Sequence, residues 1–122
     1  AERIGTALQG ALMVREGPRR GSDAGETGDW SHVDVYLTKT MDYRALLHSG
    51  SAWDAEALTW MRDRKSTFVT VGPGRPGTDY SGAAFALRYP YDNDVRVATI
   101  VETAVLELVA QRWWAAGATP SA

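Results

Sequence analysis

At 122 residues the chain has the length of one domain, enough to bury about two-thirds of the surface its unfolded form exposes without help from disulfides or metal. Thirteen Lys and Arg against fifteen Asp and Glu give a net charge of −2, which excludes a protein whose whole surface grips nucleic acid or anionic lipid. Zero cysteines exclude a disulfide framework, a thiolate zinc site and a cysteine nucleophile.

From Ile4 the apolar residues Ala7, Leu8, Ala11 and Leu12 recur at helical spacing, and Gly17-Pro18 stops the helix they predict. Residues 17–29 hold four glycines, one proline, five charges and no apolar side chain larger than alanine, so a flexible loop is expected there. Arg19 and Arg20 in this loop, beside Arg15, are candidate anion contacts, although Asp23, Glu26 and Asp29 offset their field. Residues 30–38 alternate Val33, Val35 and Leu37 with Asp34, Tyr36 and Thr38, the pattern of a half-buried strand. Residues 42–48 read as a helical turn. Residues 51–64 predict a helix capped by Ser51 with Asp54 three positions on, and with Trp53, Ala57, Trp60 and Met61 on its apolar side. Residues 67–71 and 83–89 predict a second and a third strand, with a hairpin the economical connection across 72–82, though eleven residues is long for one.

The last helix is expected to be capped by Asp92, Asn93 or Asp94, to run to about Ala116, and to end at Gly117 with Pro120 beyond. Its wheel gathers Val97, Val101, Ala104, Val105, Leu108 and Val109 on a core-facing side. Ile100, Leu106 and Trp114 fall on or beside the polar side, where solvent or a partner would meet them. Together these elements predict one α+β domain over 1–122, in the order α-β-α-β-β-α. Its expected sheet is small, three-stranded and largely antiparallel, packed with two long helices.

Gly72-Pro73-Gly74-Arg75-Pro76-Gly77 has the spacing of a dinucleotide-binding turn, but that turn must open a helix, and a strand-like run follows here. A Gly/Pro recognition loop is the better reading. Gly74 and Gly77 shape it, Arg75 sits at its tip, and Asp79 and Tyr80 follow as polar candidates. Asp92, Asn93 and Asp94 lack the glycine and glutamate of a calcium loop and read as a cap. The two histidines, His32 and His48, have no metal-ligand spacing, and no serine lies in a nucleophile turn, so no catalytic residue, metal or cofactor is implied. Five tryptophans exceed an ordinary share, and Trp53, Trp60 and Trp113 are expected in the core with Trp114 at an interface.

The functional expectation is a non-enzymatic assembly or protein-binding subunit, self-associating or bound to a protein partner. In element order alone it is similar to small ring-forming virion subunits. A small-molecule or phosphate-binding cleft near 72–82, with Arg75, Asp79, Tyr80 and His48 as polar groups, is the second expectation, and a stoichiometric inhibitor the third. The longest apolar stretch, 97–110, is broken by Thr99, Glu102, Thr103 and Glu107 and falls short of a membrane span. No charged-then-apolar leader opens the chain, so a cytoplasmic or virion location is expected.

Overall fold

The computed structural model describes residues 4–32, 34–39, 42–89 and 95–117. In chain order the elements are α1 (Ile4–Glu16), α2 (Thr27–His32), a 3-10 turn (Asp34–Lys39), β1 (Arg44–His48), α3 (Asp54–Asp63), β2 (Thr67–Val71), β3 (Phe85–Leu87) and α4 (Val95–Gly117). They fall into two compact units, one of residues 26–89 and the other of residues 4–25 with 95–117.

In the first unit the three strands lie in the order β1-β2-β3 and all run parallel, with Leu46 beside Val69 and Val69 beside Phe85. The expected antiparallel sheet and its hairpin are therefore corrected. A parallel pair cannot be joined by a tight turn and needs a crossover of a dozen or more residues. The α3 helix supplies the crossover between β1 and β2, and residues 72–84 supply it between β2 and β3. The loop that is too long for a hairpin is what a parallel pair requires.

The element order is corrected as well. Residues 30–38, expected as a strand, are divided between α2 and the 3-10 turn, while Val33 lies outside the described residues. Among the members of the alternating set whose burial is described, only Val35 is buried, and Tyr36 and Leu37 are both exposed, as winding at three residues per turn demands. Residues 42–48, expected as a helical turn, hold β1 instead. Ala45, Leu46 and Leu47 favour helix in isolation, but pairing along the whole of β2 overrides that preference.

One face of the sheet, carrying Leu47 and Phe68, packs with Ala57, Leu58 and Met61 of α3 and with Trp30 and Val35. Trp30 donates its indole N–H to the Tyr43 hydroxyl at 2.8 Å, which satisfies the one polar atom this core tryptophan brings in. Trp53, expected in the core, is 58% exposed, and Trp60 is half-buried with the Arg64 guanidinium 5.3 Å above its ring. Trp113 and Trp114 are exposed.

In the second unit α1 packs against α4. The buried residues are Thr6, Gly10 and Ala11 on α1 and, at every fourth position of α4, Ala98, Glu102, Leu106 and Ala110. Small residues let the two backbones approach. A Cβ added to Gly10 would come within 2.5 Å of Leu106 Cδ1. The buried side of α4 is thus turned away from the one the wheel favours: Leu106 is 7% exposed and Leu108 61%. The chain after α1 turns back on it, where Ser22 Oγ donates to the Ala11 carbonyl and Arg15 donates to the Ser22 carbonyl, both at 2.8 Å. No helix among the described residues is long and apolar enough to cross a membrane.

Candidate functional site

In a parallel sheet every strand delivers its following loop to the same edge, which is why ligands of open α/β sheets bind outside the carboxyl ends of the strands. Here that edge collects Ser49, Gly50 and Ser51 after β1, residues 72–81 after β2, and Arg88 after β3. Pro73, Gly74, Arg75, Pro76, Thr78, Asp79, Tyr80, Ser81 and Arg88 line an open cleft of about 460 Å³.

The floor is built from two hubs. Ser49 is fully buried; its Oγ donates to the Val71 carbonyl at 3.3 Å and accepts from the Gly74 amide at 3.0 Å and from an Arg88 Nη1–H at 3.4 Å. Gly72 must be glycine, because its φ is +131° and a Cβ there would lie 2.8 Å from the Ser49 carbonyl oxygen. Asp54, fully buried at the start of α3, is the second hub. Its Oδ2 accepts from the Gly50 amide at 2.7 Å, the Ser51 amide at 3.1 Å and the Tyr80 hydroxyl at 2.6 Å. Its Oδ1 is buried without a hydrogen-bond partner. The expected Ser51 cap is corrected: α3 opens after Trp53 with no side-chain cap hydrogen bond, and Ser51 Oγ accepts from the Trp53 amide at 3.1 Å in the turn ahead of the helix.

Tyr80 joins the floor to the rim. Its hydroxyl donates to Asp54 and accepts from the Arg75 amide at 2.8 Å, and its ring carries the Arg88 guanidinium at 4.3 Å. Burial, then the hydrogen bond to Asp54, pushes the phenol up to about 12, so it is a neutral donor throughout the physiological range. Gly74 leaves room for Arg88, whose Nη1 would sit 2.6 Å from a Cβ at that position. At the rim the Thr78 amide donates to the Arg75 carbonyl at 3.1 Å, closing a turn with Pro76 and then Gly77 at its centre. The Gly77 φ of +82° suits the third position of a type II turn. Asp79 accepts from the backbone and then the side chain of Ser81, which lowers its carboxyl below the usual range. Arg62 of α3 donates to the Asp79 and Ser81 carbonyls at 3.2 and 3.1 Å and holds this stretch in place.

Of the residues singled out from sequence, Gly74, Arg75, Asp79 and Tyr80 come together here, and Gly77 sits in the turn beside them. His48 ends β1 beside Val71 and does not line the cleft. The glycine-spaced loop opens no helix, since β3 is the next element. Arg19 and Arg20 lie exposed after α1 in the other unit, with Arg19 at a φ of 61°. Ile100 and Trp114 are exposed on α4, at 70% and 56%, and Leu106 is buried. Asp92, Asn93 and Asp94 lie outside the described residues. Ser49, Arg88 and the hydrogen-bonding role of Asp54 were not legible, because only the parallel pairing brings residues after β1 and β3 beside the loop after β2. Among the described residues no group of three or more His, Asp or Glu is placed to hold a metal ion. No family model matches the sequence, and no curated protein matches it.

The Tyr80 phenol gives a pH-dependent readout. A phenol whose pKa is higher folded than unfolded stabilises fully below about pH 10 and loses that contribution as the pH rises from about 10 to about 12. Wild type should therefore lose stability more steeply across this window than Tyr80→Phe. Denaturant melts at matched pH values check it; parallel slopes would show that Tyr80 titrates like a solvated phenol.

Proposed function

We propose that the cleft at the carboxyl edge of the sheet binds a small phosphate-bearing ligand, and that the chain works as a ligand-binding domain. The observation that carries this reading is the held position of Arg88, stacked on Tyr80, tied to Ser49 and seated over Gly74. A guanidinium fixed in one orientation has little entropy left to lose on meeting an anion, and its planar fork suits phosphate oxygens. Arg75 supplies a second guanidinium at the rim, so two guanidiniums line the cleft with the Asp79 carboxylate, while the Asp54 carboxylate beneath them is engaged by the Tyr80 hydroxyl. The loop between β1 and α3 does not serve as the anion site, because Asp54 already accepts from its Gly50 and Ser51 amides.

The test is calorimetric titration with inorganic phosphate and with a phosphomonoester such as glycerol phosphate. Arg88→Ala should weaken binding by about 10- to 100-fold, since a hydrogen bond to a charged group is worth about 1.5–3 kcal/mol. Arg75→Ala should weaken it less and leave the melting temperature nearly unchanged, as its exposed side chain packs little. Absence of binding by wild type at millimolar ligand, or equal binding by Arg88→Ala, would overturn the proposal.

A further inference from the structure

We infer that α4 pairs with the α4 of a second copy of this chain, parallel and in register, through the face opposite α1. Val97, Val101, Ala104, Leu108, Gln111 and Ala115 recur at alternating spacings of four and three, the seam of a two-stranded coiled coil. At about 100° per residue this row lies nearly opposite the buried row Ala98, Glu102, Leu106 and Ala110. The α4 helix is therefore apolar on two sides, and α1 packs with only one of them. All six seam positions are exposed. Across its 23 residues the helix holds about three heptads, with β-branched Val101 and then Leu108 at one core position.

Charge selects the occupant and its direction. With Val101 and Leu108 in the first core position, Ile100 and Glu107 flank the seam on one side and Val105 and Arg112 on the other. In a parallel pair each flanking residue meets the one five positions further along the second helix. Ile100 then meets Val105 of the second copy, and Glu107 meets Arg112 of the second copy, twice by symmetry. An antiparallel pair centred on Ala104 would instead bring Glu107 beside Ile100 of the second copy and leave both charges facing apolar side chains. Like meets like, and opposite charges meet, only in the parallel arrangement. The polar Gln111 in the seam keeps the association modest and helps fix its register.

Sedimentation of the whole chain across a concentration series tests this, with far-UV circular dichroism confirming that each variant keeps its helices. Wild type should show a reversible monomer–dimer equilibrium. Glu107→Arg and Arg112→Glu should each weaken it by about fivefold or more, because two surface ion pairs become two repulsions, and the combined exchange should restore it. Leu108→Glu, with the helices intact, should leave only monomer. A wild-type monomer at every concentration would overturn the inference, as would a dimer that survives Leu108→Glu. Failure of the double exchange to restore association would overturn the parallel register.

Discussion

Truncation of Leu106 to alanine is expected to destabilise the α1–α4 pair by about 2–5 kcal/mol, while Leu108→Ala, four-spaced from no buried neighbour, stays within about 0.5 kcal/mol at concentrations where the chain is monomeric. Leu106 is buried and seated over Gly10, whose missing side chain makes the recess it fills. Removing the leucine leaves a cavity, and neither Gly10 nor Ala11 carries atoms that could swing into it. Leu108 is exposed, so its truncation removes little buried surface. Chemical denaturation of both variants, followed by helical circular dichroism, reads the difference directly. Equal losses would mean that α4 is rotated about its axis relative to α1, and a larger loss for Leu108 would restore the face that hydropathy favours.

That contrast also shows what the sequence could and could not convey. Periodicity and punctuation were enough for α1, stopped at Gly17-Pro18, for the presence of α3, for β2 at Thr67–Val71, and for the extent of α4. The orientation of α4 was beyond them, because a helix with Val97, Val101 and Leu108 on one side and Ala98, Leu106 and Ala110 on the other has no unique apolar face. The side that meets α1 is the one whose Leu106 fills the space left by the missing side chain of Gly10, a fit between two helices that periodicity within one helix does not carry.

Strand direction was hidden for a related reason. Nothing local to 67–71 and 83–89 distinguishes a hairpin from a parallel crossover except the length of the segment between them, and β1 was masked by two adjacent leucines that break the alternation. Once β1 is placed at 44–48, the rest of the edge follows. Ser49 to Asp54 becomes the first loop of a strand–helix–strand unit, the Gly/Pro segment becomes the second, and Arg88 comes off the end of β3 toward both. The loop's own residues Arg75, Asp79 and Tyr80 were legible because glycine and proline mark a loop from sequence alone. Their partners were not, being 26 residues distant in the case of Tyr80 and Asp54 and 39 in the case of Arg88 and Ser49.

Asp54 is where folding and the cleft share one side chain, so its replacement should have the second large effect. Asp54→Ala removes the acceptor of three donors at once, the amides of Gly50 and Ser51 and the hydroxyl of Tyr80. Each buried donor left without a partner costs about 1–3 kcal/mol, and with water reaching half-buried Tyr80 the sum expected is about 3–5 kcal/mol. Asp54→Asn should cost far less. All three bonds converge on Oδ2, and Oδ1 has no partner to lose, so an asparagine can place its carbonyl oxygen where Oδ2 stands and its NH2 where Oδ1 stands. The remaining penalty is one unsatisfied amide and the weaker bonds of a neutral acceptor, about 1–2 kcal/mol. The consequence for the cleft runs through Tyr80, whose hydroxyl also receives the Arg75 amide and whose ring supports Arg88. Asp54→Ala should therefore loosen the ring and weaken phosphate binding even under conditions where the variant is fully folded, while Asp54→Asn keeps both. Denaturant melts paired with phosphate titration measure the two effects on the same samples. If the asparagine variant were as unstable as the alanine variant, the charge of Asp54 rather than its hydrogen bonds would be what holds β1, α3 and the Gly/Pro loop together.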